Sequence, residues 1–495
     1  MSDIQLDEKN LVEKVFEIAF TDPARICLIM GDTKITYFRL CQKVIAYSKI
    51  IHSLGVVREK PIMVAATQSI SFICTYLACH YLNIKVVLFD SKVSESRYRF
   101  ICASVKPALI FMPSAKFKGS ISSEILESQV EDVSLTLPLI KESSRICDIV
   151  FTSGTSGMPK GVCLSHENLR VSIQNINLFV GNSKEDVEMI PMPFSHSFGL
   201  SRLRCALYAG SKIILTNGVI KPKKMFEEIS KHGVTGMGLV SPAWSLLYRL
   251  SGNEIQKYSS QLKWLEFGSA PMEHKDKILL MQLLPNTRLC MHYGLTEASR
   301  ATFIEFHRDK KHLDSIGQSS PLSQIAIFDP DGNDLPTGET GEIVIRGGMV
   351  MQKYLSVQDR PASFYGKYFR SGDLGFKDDG DFVHLTGRLH EIINVGGKKI
   401  VPAEIEKALR SIQAIKDAVC YGIPDPSGVL GEVVSAKLVL AEGEARLSLN
   451  QIRDALSGKV ENHMFPAKLY WVDFIPKTEN GKIIRKNLNE ETSGC

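Results

Sequence analysis

Apolar positions in the first ninety residues change their period several times. From Asn10 to Ala19 they recur at helical spacing, and Ile26 to Met30 is a short continuous run that reads as a strand. A Gly31-Asp32 turn leads to a second strand through Ile35. Tyr37 to Leu54 returns to helical spacing, as a long amphipathic helix ended by Gly55. Pro61 to Ala66 reads as a buried strand, Ser71 to Tyr81 as a helix, and Lys85 to Phe89 as the next buried strand. Strand–helix–strand repetition of this kind predicts parallel sheets with right-handed crossovers. Similar units recur around Lys212–Leu215, Val234–Val240 and Leu262–Phe267, and no repeat of fixed period stands out.

The texture changes near Ile325. Short strands such as Ile325–Phe328 and Glu342–Arg346 alternate with turns such as Asp329-Pro330-Asp331-Gly332, which predicts a β-rich subdomain at about residues 320–387. After Gly387-Arg388 a compact α+β unit follows. Its first helix starts at Pro402, with Glu404 in the first turn, Ile405, Leu409 and Ile412 on one face, and Glu406 spaced to pair with Arg410. The expected fold is therefore α/β. A large N-terminal domain over residues 1–387 combines parallel-sheet subdomains with the β-rich one, and a small α+β domain covers 388–495.

Composition narrows the class. The 495 residues are 44% hydrophobic and 23% charged, as in a globular protein with ample core. A net charge of +5 is modest for this length; it does not imply nucleic-acid binding and suits anionic substrates. The eleven cysteines form no C-x-x-C pair and no cluster with zinc-ligand spacing, so they read as reduced thiols of a cytoplasmic protein. The acidic N-terminus does not read as a signal peptide, and no apolar run is long enough for a spanning helix.

The densest chemistry lies in Phe151-Thr152-Ser153-Gly154-Thr155-Ser156-Gly157-Met158-Pro159-Lys160-Gly161-Val162. Its glycines let backbone N–H groups approach an anion, its hydroxyls add donors, and Lys160 adds charge. The strand Ile146–Phe151 would deliver this loop to a sheet edge. It is no Walker A loop, because no window fits G-x-x-x-x-G-K-[ST].

This string resembles the signature loop of adenylate-forming enzymes, the superfamily of acyl-CoA synthetases, adenylation domains and luciferases. Five further segments match that family in order: Pro191–Gly199, Met291–Glu297 preceded by Gly268-Ser269-Ala270-Pro271, Phe369–Gly375, Gly387–Glu406 and Pro476–Lys486. The resemblance implies an ATP-dependent acid–thiol ligase that uses Mg²⁺ and is most like a stand-alone acyl-CoA synthetase. It implies that Thr152, Ser153, Gly154, Thr155, Ser156, Gly157 and Lys160 wrap the ATP phosphates. Tyr293 and Gly294 would border adenine, Thr296 the α-phosphate, and Glu297 the metal. Asp373 would hold the ribose hydroxyls and Arg388 would reach ribose or phosphate. His196 would gate the path between acid and thiol. Lys482 would bridge the substrate carboxylate and the α-phosphate during adenylation.

The same resemblance makes Ser195, Met237, Trp244, Gly268, Ser269, Ala270 and His292 candidates for the acid pocket. Ser195 stands where amino-acid-activating domains place an aspartate, which argues for a plain carboxylic acid; medium-chain, aryl and short acids all remain open. His390 stands at the hinge position, near 388–391, where the family has aspartate or lysine. Gly396 and Gly397 would line the tunnel for a pantetheine thiol. CoA is the expected acceptor, with the phosphopantetheine of an acyl or peptidyl carrier protein as the alternative. An inactive nucleotide-binding homologue is disfavoured, since Lys160, Glu297 and Lys482 are all present.

Overall fold

The computed structural model describes residues 6–127, 134–137, 143–152, 160–216, 221–356, 363–395, 398–426, 430, 432–478, 481, 483–485 and 488. The chain divides into two compact units. The first holds the described residues up to Ile325 together with 345–369; the second holds 326–344 and the described residues from Arg370 onward.

Two sheets organise the first unit. A seven-stranded sheet runs in the order Lys353–Tyr354, Gly161–Ser165, Ile146–Phe151, Val86–Asp90, Ile62–Ala66, Leu109–Met112, Ile121–Ser122. Its central strands pair in parallel, and Ile62–Ala66 is buried at every position, as a strand covered on both faces must be. A nine-stranded sheet runs Gln318–Ser319, Thr302–Glu305, Arg288–Tyr293, Trp264–Gly268, Gly236–Val240, Val187–Ile190, Lys212–Leu215, Ile26–Met30, Thr33–Thr36. Here the first strand of the chain lies parallel to Lys212–Leu215, a neighbour far away in sequence.

The helices expected from periodicity form with clear stop and start signals. Asn10 caps Leu11–Thr21 in a capping box with Glu13. Thr36 caps Tyr37–Ser53, and Ser69 caps Ile70–Tyr81. Among the described residues no helix is long and apolar enough to cross a membrane.

One polar network is buried inside this unit. Asp148, on the strand Ile146–Phe151, accepts from Tyr76 Oη at 2.9 Å and contacts His80 Nε2 at 2.7 Å. It is also paired with Arg204, on the helix Ser197–Ala209, and Arg204 Nε donates to Tyr76 Oη at 2.9 Å. Burial alone would raise the Asp148 carboxyl; Arg204 and His80 outweigh it and hold the group below its ordinary value.

In the second unit, Tyr368–Lys377 and Val383–Arg388 pair antiparallel within a five-stranded sheet, with Asp373 opposite Arg388. The helix Pro402–Arg410 buries Ile405 and Leu409 in a core with the strands Ile415–Pro424 and Glu432–Leu440. Ile412 packs at the edge of that core. The expected Glu406–Arg410 pair is not made. Glu406 is buried and takes Arg485 Nη1 at 2.8 Å and the backbone N–H of Cys420 instead, while Arg410 turns toward Asp417. A buried carboxylate gains more from these donors than from an exposed i,i+4 partner.

Replacing Arg204 by Met leaves Asp148 charged and buried with its main counter-charge gone. The expected loss is about 3–5 kcal/mol of unfolding free energy. Adding Asp148→Asn to that variant is expected to restore most of it, and urea denaturation of the three proteins checks both values.

Candidate active site

The parallel strands Gly236–Val240, Trp264–Gly268 and Arg288–Tyr293 stand side by side in register, and the motif residues follow their C-terminal ends. Ligands of open α/β sheets collect at such ends. Ser269 and Ala270 come directly after the second strand, and Gly294, Thr296 and Glu297 directly after the third. Two backbone positions here are strained: Ser269 has φ of 67° and Arg300 has φ of 52°. Gly294 leaves no room for a side chain, since a Cβ would lie 2.5 Å from the Arg300 nitrogen.

Lys160 and Glu297 meet at one ring. Tyr354 Oη donates to Glu297 Oε1 at 2.8 Å, and Lys160 Nζ lies 5.1 Å from the centre of the same ring. Glu297 is buried. An anionic oxygen ligand and an ammonium are thus held near one another, a pairing suited to a phosphate chain and a hard cation. Tyr354 is a residue the sequence reading missed. It belongs to none of the matched segments and arrives through the short strand Lys353–Tyr354, antiparallel to the strand that follows the glycine-rich loop. Thr152 keeps the two ends of that loop together through its N–H, which donates to the Lys160 carbonyl at 3.0 Å. Ser153, Gly154, Thr155, Ser156 and Gly157 lie outside the described residues.

His196 caps the helix Ser197–Ala209 by its backbone, in extended conformation, without a side-chain cap bond. Beside it, Ser195 Oγ donates to Asp90 Oδ2 at 2.8 Å. Ser195 was expected to leave this place without a carboxylate; Asp90 supplies one from the end of the strand Val86–Asp90. The sequence carried no signal for this, because the two residues lie 105 positions apart, one at a strand end and one in a turn.

Beneath the pocket candidates lies a buried charge cluster. His292 Nδ1 is 2.7 Å from Glu266 Oε1, and Arg300 Nε donates to the same oxygen at 3.0 Å. Arg202 Nη1 donates to Glu266 Oε2 at 3.0 Å, and Arg202 also grips Glu188 at 2.7 and 2.8 Å. Burial would raise Glu266, but Arg300, His292 and Arg202 outweigh it and hold the carboxyl well below the usual range. Burial, with Arg300 beside it, lowers His292 to about 4, so its ring is neutral near pH 7. The His292 ring fills the space over Gly268, where a Cβ would lie 2.1 Å from Cε1. Of the other pocket candidates, Ala270 is buried and its carbonyl accepts from Ser241 Oγ. Met237 and Trp244 do not join this group. Both are buried in the apolar core cluster with Leu239 and Phe267. Strand alternation accounts for Met237: it points into that core, and Gly238, on the other face of the strand, packs against Arg202 and Phe198.

In the second unit Arg388 Nε lies 2.9 Å from Asp373 Oδ1, so these two candidates are brought together. The His390 backbone belongs to the short helical turn Leu389–Glu391. Gly396, Gly397 and Lys482 lie outside the described residues.

A model for the AMP-binding enzyme family matches residues 15–355, and one for the AMP-binding enzyme C-terminal domain matches residues 404–482. The chain is 28% identical to 4-coumarate–CoA ligase 5 of Oryza sativa subsp. japonica, over 97% of this chain and 94% of that protein. It is 31% identical to the long-chain-fatty-acid–CoA ligase of Bacillus subtilis, over 72% of this chain and 64% of that one. Its fold is similar to o-succinylbenzoate CoA synthetase of Bacillus subtilis solved with its acyl-adenylate, with a TM-score of 0.85, 24% identity, and 99% and 100% of the two chains covered.

Two buried histidines set a pH dependence of stability. His166 is lowered to about 3, by burial and by His80, and His292 to about 4. Both stay neutral in the fold while the unfolded chain protonates them below about pH 6.5, so stability falls as pH drops from there toward 4. Each contributes a slope approaching about 1.4 kcal/mol per pH unit. In His292→Asn the slope between pH 6 and 4.5 is expected to fall by about one proton, as read from denaturation at a series of pH values.

Proposed function

The chain belongs to the AMP-binding enzyme family, and within that family we propose that it is an acid–CoA ligase. It activates a carboxylic acid with ATP, releases pyrophosphate, and passes the acyl group to the thiol of CoA with release of AMP. The observation that supports this reading most is the meeting of Lys160 and Glu297 at Tyr354. An ammonium and a carboxylate gathered at one ring would suit a polyphosphate and its cation. The chain's likeness to 4-coumarate–CoA and long-chain-fatty-acid–CoA ligases supports CoA, rather than a carrier protein, as the acceptor.

In the first half-reaction a substrate carboxylate oxygen attacks the α-phosphorus, and the bond from that phosphorus to the bridging oxygen breaks. No protein nucleophile is needed, so the residues act by position and charge. Lys160 draws charge from the departing phosphates. Thr296 donates to the α-phosphate, and Lys482 bridges it to the acid. Tyr293 and Gly294 border the adenine, and Asp373 with Arg388 holds the ribose. Glu297 would offer an oxygen ligand to Mg²⁺, which would supply charge neutralisation for the phosphates. In the second half-reaction the thiolate sulfur attacks the acyl carbon beside His196, and the bond from that carbon to the phosphate oxygen breaks. A boundary near 388, with His390 as pivot, lets the segment carrying Lys482 withdraw while Gly396 and Gly397 admit the pantetheine arm. We place the protein in the cytoplasm, where the ten free cysteines among the described residues would stay reduced.

Lys482 then serves one half-reaction only. Lys482→Ala is expected to lose acid-dependent exchange of pyrophosphate into ATP by at least about 100-fold. It should still convert a supplied acyl-adenylate and CoA to thioester at a rate within a few-fold of the parent. Exchange that survives the substitution would remove Lys482 from the mechanism.

A further inference from the structure

Three side chains of metal-ligating type meet inside the first unit. His80, Cys147 and His166 are far apart in sequence and all buried, and one ligand atom of each lies within 4.8 Å of those of the other two. None has a part in the proposed catalysis. His80 comes from the helix Ile70–Tyr81, Cys147 from the strand Ile146–Phe151, and His166 from the start of the helix His166–Val180. The pairing of Ile146–Phe151 with Gly161–Ser165 shifts register between Ile146 and Asp148. A bulge of this kind re-aims a side chain, and here the consecutive residues Cys147 and Asp148 both come within reach of His80.

One nitrogen of each imidazole is already engaged. Asp148 Oδ1 lies 2.7 Å from His80 Nε2, and Asn83 Oδ1 lies 3.2 Å from His166 Nε2. Carboxylate and amide oxygens only accept, so in the neutral rings both Nε2 atoms carry the proton and both Nδ1 atoms keep a lone pair. Metal-binding histidines are commonly held this way, with the outer N–H donated to an oxygen and the other nitrogen on the ion. His80 Nδ1 is buried without a hydrogen-bond partner among the described residues, an atom that calls for an explanation. Burial, with His80 beside it, lowers His166 to about 3, so its ring is neutral near pH 7. Cys147 Sγ makes a weak bond, 3.5 Å to the Leu164 carbonyl.

Two imidazoles and a thiol suit soft or borderline ions rather than Mg²⁺ or Ca²⁺, which take oxygen ligands. Charge narrows the choice. Asp148 is matched by Arg204, so a buried ion must be neutralised by its own ligands. One thiolate cancels the whole charge of Cu(I) but leaves Zn²⁺ with a positive charge in the interior. Donors at ordinary metal–ligand lengths around a three-coordinate ion stand about 3.5–4 Å apart, so an ion is seated by shifts of about 1 Å.

We propose that His80, Cys147 and His166 form a structural Cu(I) site, with Asp148 and Asn83 orienting the two rings. On binding, a Cu–S bond forms and the thiol proton leaves to solvent. The ion ties the strand that leads into the glycine-rich segment to the helix that follows it. Since all three ligands are buried, the ion enters as the unit folds or opens, and its binding stabilises the fold.

The test uses the full chain, expressed with copper or zinc added to the medium and, separately, titrated with Cu(I) without oxygen. One copper per chain is expected to survive desalting against a Cu(I) chelator. X-ray absorption at the copper edge is expected to show one sulfur and two nitrogen neighbours. The midpoint of thermal unfolding is expected to lie about 3 °C or more above that of the metal-free chain. Cys147→Ser is expected to lose both the ion and the shift, while Cys420→Ala, in the second unit, keeps both. Circular dichroism of the metal-free proteins reports folding, and if Cys147→Ser does not fold, the copper-edge spectrum of the parent decides. The proposal fails if copper is not retained, if zinc alone is retained, if the spectrum shows several sulfurs, or if Cys147→Ser keeps the ion.

Discussion

Glu266 is a charge placed where charge is expensive. It sits on a fully buried strand, and its two oxygens are shared by Arg202, Arg300 and His292. Moving a carboxylate out of water costs several kcal/mol unless partners meet it with good geometry. Here the partners come from a helix, a loop and a neighbouring strand, so the cluster forms only when all three elements are in place. The strain at Arg300 is explained by the same requirement: its backbone is held with positive φ while its guanidinium reaches the carboxylate. The ring that stands beside this carboxylate is the one that lies over Gly268.

On the proposed reading the site is arranged in two tiers. Lys160 and Glu297, proposed to face phosphate, gather on Tyr354. His292 and Phe198, beside the proposed acid pocket, rest on the buried cluster. The first tier would deal with chemistry common to any acid, and the second with the identity of one. Such separation fits a fold in which reaction and specificity are altered independently.

Much of the fold was legible because strands such as Ile62–Ala66 are continuous apolar runs, and helices such as Leu11–Thr21 carry caps at the expected places. The glycine-rich segment and the segment around Glu297 stood out because glycine, hydroxyl and charge stand in a fixed order. What stayed hidden was pairing across long separations. Asp90 reaches Ser195, Tyr354 reaches Glu297, and Arg485 rather than Arg410 reaches Glu406. Each partner is ordinary in its own stretch of sequence, so neither period nor motif marks it. Met237 and Trp244 were named as pocket candidates, and the alternation of a strand and the packing of a helix bury both in an apolar core cluster.

The buried group formed by Tyr76, His80, Asp148 and Arg204 bears on how this chain can diverge. It joins the strand that leads into the phosphate loop to the helix that follows His196. Each member satisfies another, so a lineage that loses one carries an unsolvated polar group until a second substitution arrives. Descendants are therefore expected to keep the four together or to replace them together by apolar residues, with few intermediates. The set is a heritable unit, inherited whole or not at all.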